Sequence, residues 1–241
     1  TMTQSEESSQ RIALPLYRPL AAWVLLAINI AVFIIPEVLG LTSVVQALGA
    51  KNNAAIVSGD YYRFLTAMFL HAGLTHIGFN AFALYSLGPD VERFYGTPRF
   101  LAIYFLAGFG GGIASYTLSP NDSVGASGAI FGLIGALGAF FYQTRKIFGE
   151  VSRQQIGNLI FITMINLGIG FTTPRIDNFA HIGGLLCGII AGLLLAPNLA
   201  VDLQQIPPTI VRRARSYGWP GAVALLLALI AMVMVIQPPL R

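Results

Sequence analysis

Residues 123–140 read SVGASGAIFGLIGALGAF, an apolar run with one hydroxyl near its head, at Ser127. Small residues recur through it at Gly128 and Gly132, then at Gly135 and Ala139. A ridge of small residues at helical spacing lets two helix backbones approach closely in lipid, where van der Waals packing replaces the hydrophobic effect. A matching ridge lies downstream, where Ala180, Gly184, Gly188 and Gly192 repeat every four residues. If the two ridges face each other, Ser127 and His181 come within reach at one end of the pair.

The composition fixes the solvent of this packing. Of 241 residues, 55% are hydrophobic and 10% charged, with a mean hydropathy of +0.70. Soluble domains carry about 25% charged residues, so the chain reads as an integral membrane protein. Seven stretches approach the roughly 20 apolar residues that a spanning helix needs: 20–35, 64–87, 100–118, 124–142, 156–171, 179–196 and 219–236. Prolines 36, 98, 120, 174, 197 and 220 fall at or near their ends, where helices tolerate them. With the N-terminus in the cytoplasm, 10 of the 14 Lys and Arg residues fall on inner segments. Lys51, Arg63, Arg175 and Arg241 fall on outer ones. That bias orients the bundle with the N-terminus in and the C-terminus out.

The expected organisation is a mobile cytoplasmic tail (1–18), a six-helix core (19–197), a linker (198–218) and a seventh transmembrane helix (219–241). Thr1, ahead of Met2, is set aside as an expression remnant, and Met2–Gln10 lacks a signal-peptide layout. The outer loop 37–61 contains LTSVVQALGA, apolar enough to lie in the interface. The single cysteine, Cys187, excludes an intramolecular disulfide and reads as a small buried hydrophobe. Basic residues are scattered, which fits membrane topology rather than nucleic-acid binding.

Polar groups inside a membrane are costly and mark functional sites by default. Ser127 and His181 each open a span that starts on the outer side. His76 and Asn80 lie about a third and halfway along the second span and share one helix face. Three helices therefore aim polar groups into the outer half of the bundle. A serine hydroxyl becomes a nucleophile when a neutral histidine takes its proton. The first turn of the fourth span adds free backbone N–H groups and a positive dipole end. An oxyanion could be held there, with His76 and Asn80 as further donors. Gly125 and Gly128 would let the backbone approach a substrate carbonyl without an intervening Cβ.

Rival chemistries fare worse. His71 and His76, five residues apart, would point about 140° apart on a continuous helix, and no HExxH pattern occurs, so no metal is expected. Gly125-Ala-Ser127-Gly128-Ala129 is not GxSxG, and no strand precedes it, which excludes a nucleophile elbow. Asp177, one turn before His181, could orient the imidazole, although an interfacial loop aspartate is the plainer reading. Neither broken-helix pairs nor inverted repeats suggest a transporter.

The motifs YYRFLTAMFLHAGLTHIGFN (61–80), GPDVERFYG (88–96), GASGAIFG (125–132) and AHIGGLLCG (180–188) resemble the rhomboid intramembrane serine proteases across about Trp23–Pro197. HxxxN, GxSG and AHxxG occur in the family's order and spans. The resemblance implies an all-α polytopic bundle, six-plus-one, cleaving transmembrane helices of other proteins within the bilayer near its outer face. It implies Ser127 as nucleophile, His181 as general base, and His76, Asn80 and the Ser127 N–H as oxyanion donors, without cofactor or metal. Gly125, Gly128, Phe131 and Gly184 would serve substrate approach and close packing. Arg63 matches the arginine of a first-loop Trp-Arg pair, and Glu92 a structural glutamate in the loop after the second helix. Tyr62 stands where many relatives have tryptophan, and Phe131 where some have tyrosine. The fifth helix and the loop at about 170–177 would gate entry. A bacterial plasma membrane is the expected location. The alternative is a non-proteolytic rhomboid-like protein that binds or escorts membrane helices.

Overall fold

The computed structural model of the chain describes residues 16–174, 176–202, 204, 209–213 and 215–240. Most of the tail and residue 175 of the 170–177 loop lie outside them. The elements run α1 (Leu20–Val38), α2 (Thr42–Gly49), α3 (Asn53–Val57), α4 (Arg63–Thr66), a 3-10 turn (Ala67–Phe69), α5 (Leu74–Tyr95), α6 (Thr97–Leu118), α7 (Ser127–Phe148), α8 (Glu150–Thr172), α9 (Asn178–Leu195), β1 (Asn198–Asp202), β2 (Thr209–Arg213) and α10 (Gly218–Val235). Among the described residues, six helices (α1, α6, α7, α8, α9 and α10) are long and apolar enough to cross a membrane, and α5 with its lead-in makes a seventh. The chain is an all-α, multi-pass membrane bundle with an extra C-terminal helix.

The centre of the bundle is α6, α7 and α9, and glycine is the reason. A Cβ on Gly184 or Gly188 would overlap the backbone of Gly128 or Gly132, and one on Gly192 would lie 2.8 Å from the Ala136 Cα. The two small-residue ridges therefore do face each other. Helix α6 joins through the GFGGG run at 108–112: a Cβ on Gly111 would sit 2.6 Å from the Ala180 carbonyl oxygen. At the opposite end from Ser127, the Tyr95 hydroxyl donates to the carbonyls of Ala136 (2.8 Å) and Gly192 (3.2 Å), joining α5, α7 and α9.

The second span is not one continuous helix. It breaks at residues 70–73, and α4 with its 3-10 turn is bent 91° from α5. Leu70 is extended, and Gly73 has φ of 134°, which other residues rarely adopt. A window of about 19 residues, the length used to find spanning helices, averages over the more polar 71–76 stretch, so hydropathy does not reveal the break. His76 and Asn80 consequently lie in the first two turns of α5, rather than a third and halfway along a longer helix.

Glu92 is a second difference. It lies inside α5 and is fully buried, rather than in the following loop. Its carboxylate accepts from the N–H groups of Ala21 (3.0 Å) and Ala22 (2.7 Å) and from the Thr97 hydroxyl (2.6 Å). A carboxylate at the start of α1 satisfies amides that have no partner in the helix and complements its dipole. The segment read as a linker contains the antiparallel β1–β2 pair. Arg212 in β2 donates to the Phe94 and Arg93 carbonyls and lies over the Tyr17 ring, tying the hairpin to the end of α5.

Candidate active site

Ser127 is the first residue of α7. The first ladder bond of that helix runs from the Ile130 N–H to the Ala126 carbonyl, so the amides of Ser127, Gly128 and Ala129 precede the ladder. His181 sits in the first turn of α9, buried, and its Nε2 lies 2.9 Å from Ser127 Oγ. The imidazole stacks on Phe131, with centroids 4.3 Å apart and planes 10° from parallel. The α7–α9 seam sets this geometry, because Gly128, directly after Ser127, and Gly184, one turn after His181, pack backbone to backbone. Gly128 belongs to that seam: it faces the Ala180 carbonyl and the Gly111 Cα.

With Nε2 engaged by the serine hydroxyl, the neutral ring carries its proton on Nδ1, which is buried and without a hydrogen-bond partner. Asp177 does not meet it. That carboxylate accepts from the Ala180 N–H at 3.1 Å, capping α9, and from the Ser115 hydroxyl of α6. The pair is thus a dyad in geometry, and Asp177 is a tie between two helices.

His76 approaches from α5. Its Nδ1 accepts the Ala72 N–H at 3.3 Å, which leaves the proton of a neutral ring on Nε2. That Nε2 lies over Gly125: a Cβ built there would be 2.8 Å from it and 3.7 Å from Ser127 Oγ. Gly125 has φ of 131° and donates its N–H to the Ala67 carbonyl at 2.8 Å. Both the backbone conformation and the histidine require glycine at this position. Asn80 is buried, and its amide donates to the His76 carbonyl at 3.0 Å, using one of two N–H groups. His71 departs from the sequence reading. The break at Gly73 brings its ring to 5.2 Å from His76, edge on, instead of pointing away. Among the described residues no group of three metal-ligating side chains forms.

Arg63 is buried beneath the first loop. Its Nη1 donates to the Ala47 (2.9 Å) and Ala50 (3.0 Å) carbonyls, and its Nε pairs with Asp60 at 3.0 Å. Tyr62 hydrogen-bonds the Leu48 carbonyl at 3.2 Å, so its hydroxyl also ties the loop. The amphipathic LTSVVQALGA segment forms α2. Sequence reasoning treated Lys51 only as an outer-side charge. The structure buries it, with Nζ 3.3 Å from the Ser119 carbonyl and 3.5 Å from that of Ser115, where α6 ends. With Gly125, Gly128, Ser115 and Ser123 it lines a cavity of about 30 Å³ behind Ser127.

A family model described as the Rhomboid domain matches residues 58–198. The chain is 45% identical over 182 residues to Rhomboid protease GluP of Bacillus subtilis (strain 168), covering 74% of this chain and 35% of that protein. It is 40% identical over 156 residues to the mitochondrial RHOMBOID-like protein 6 of Arabidopsis thaliana (64% and 50%). Over 194 residues it is 34% identical to RHOMBOID-like protein 2 of the same plant (80% and 61%). The chain thus spans between about a third and three fifths of the length of these relatives. A matched segment that runs from the first loop through α9, and takes in Ser127, His181, His76 and Asn80, makes the chain a member of the rhomboid family.

Proposed function

We propose that the chain is an intramembrane serine endopeptidase that cleaves transmembrane helices of other membrane proteins. The observation that carries this reading is the 2.9 Å approach of His181 Nε2 to Ser127 Oγ at the start of α7, with His76 beside it. Ser127 Oγ attacks the scissile carbonyl carbon while its proton passes to His181 Nε2. The carbonyl oxygen becomes an oxyanion, held by the Ser127 N–H, the His76 Nε2–H and the second amide N–H of Asn80. As the tetrahedral intermediate collapses, the C–N bond breaks and His181 returns the proton to the leaving amine. Water then attacks the acyl-enzyme carbonyl as His181 takes its proton, and the ester bond breaks with His181 returning that proton to Ser127 Oγ as the carboxyl product is released.

Phe131 holds the imidazole by stacking and offers no hydroxyl. With no carboxylate on His181 Nδ1, the ring's orientation depends on that stack and on the α7–α9 seam. The excess of Lys and Arg on one side supports a cytoplasmic N-terminus, a C-terminus outside and a site near the outer face; a bacterial plasma membrane is the location that we propose. We read the organisation as a core of 19–197 with an appended seventh helix; the family match takes in residues 58–198.

Labelling by a fluorophosphonate probe tests the nucleophile. The wild-type protein in detergent should label, while Ser127→Ala and His181→Ala should not. Labelling that survives both substitutions, or is absent from the wild type, would favour a rhomboid-like protein that binds helices without cutting them.

A further inference from the structure

Residues 119–126, between α6 and α7, carry no regular secondary structure except a bridge at Ser123, yet they deliver the nucleophile. Three consecutive first-loop residues hold them. Lys51 exchanges both backbone hydrogen bonds with Ser123 (2.9 and 3.1 Å). The Asn52 amide donates to Asp122 at 2.9 Å. The Asn53 amide donates to the Ser119 carbonyl at 2.9 Å and lies 3.3 Å from that of Tyr116. Asn53 is buried, and the same amide nitrogen has a further partner 186 residues away: the Pro239 carbonyl, at 2.7 Å. Pro239 lies just beyond α10, which begins with Gly218 and Gly221 against Leu194 at the end of α9 and buries Ala222, Leu229 and Val233.

We propose that the seventh helix acts on the catalytic site through its outgoing segment. The Pro239 carbonyl fixes Asn53, and Asn53 with Lys51 and Asn52 clamps the 119–125 connection that sets Ser127 in register with His181. Asn53 is a positioning residue in this account, and the effect on catalysis rests on the protease reading above. The links run from the first loop to the last turn of α6, the α6–α7 connection and the segment after α10. The serine end of the dyad thereby gains a constraint that the α7–α9 seam, lying entirely to its C-terminal side, does not supply.

Ending the chain after Ile236 removes the Pro239 acceptor while leaving all of α10. Hydrogen exchange in detergent should then accelerate at Lys51–Asn53 and 119–125 and remain unchanged along α9. Turnover of a helical substrate should fall roughly three- to tenfold in kcat with KM unchanged, because alignment rather than binding is lost. In an Asn53→Ala background the same truncation should have no further effect, since both changes act through one contact. Unchanged exchange at 119–125, or a truncation cost undiminished by Asn53→Ala, would overturn the proposal. If the full-length protein neither labels with fluorophosphonate nor cleaves, the protease reading fails, and the exchange comparison still decides whether the clamp exists.

Discussion

Helices α7 and α9 meet backbone to backbone, whereas α8, the next element after α7, rests on the bundle through few residues. Within their most apolar windows, 72% of α7 and 44% of α9 are buried, against 11% of α8. Both regions are glycine-containing, but the glycines act differently. Those at 184 and 188 stand where an added Cβ would strike the backbone of α7, and that at 132 where it would strike Ala107 of α6, while Gly157 and Gly168 on α8 have nothing within 4 Å of an added Cβ. Glycine in a membrane helix therefore does not by itself mark an interface. What marks it is a second ridge in register on another helix. The two catalytic candidates sit at one end of a pair of helices joined by two such ridges.

The largest expected effect breaks the seam. Gly184→Val or Gly188→Val should cost at least about 3 kcal/mol through overpacking against rigid backbone, read as a lower midpoint in SDS unfolding titrations and loss of Ser127 labelling. Glu92→Ala should follow, at about 2 kcal/mol, because a buried and a part-buried amide of α1 lose their acceptor; here stability falls while the α7–α9 geometry is untouched. Phe131→Ala removes the surface on which His181 rests and should lower the labelling rate about tenfold, equivalent to roughly 1.4 kcal/mol, with Phe131→Tyr restoring it. Asp177→Ala should cost about 1 kcal/mol for the lost cap of α9 and leave turnover within about threefold, since the carboxylate does not touch the imidazole. Gly157→Ala and Gly168→Ala on α8 should change stability by less than about 1 kcal/mol, in the stabilising direction if at all. A seam-sized loss at either α8 position would erase the distinction between the two regions.

The seam, the meeting of Ser127 with His181 and the number of spans were legible in the sequence for a shared physical reason. Apolar length sets the spans, four-residue spacing of small side chains sets the ridges, and a hydroxyl and an imidazole at the heads of two ridged helices must then meet. The break in the second span was not legible, because hydropathy averages over Gly73 and a positive φ leaves no trace in periodicity. Missing it also misplaced His71, whose approach to His76 depends on the chain turning by 91° between them. Glu92 matched a family position, yet the amides that it accepts from belong to α1, 70 and 71 residues earlier in the chain and silent in any local pattern. Lys51 and Asn53 looked like ordinary loop polarity. Their importance comes from carbonyls at the end of α6 and beyond α10, contacts that only the folded chain brings together.

The most direct test of the central claim is cleavage in liposomes of a transmembrane substrate whose helix carries a small residue and a nearby helix breaker. The wild-type protein should cut it at one site near the outer face, with the new C-terminus located by mass spectrometry, and Ser127→Ala and His181→Ala should each abolish the product. Cleavage by Ser127→Ala at the wild-type rate would contradict the account.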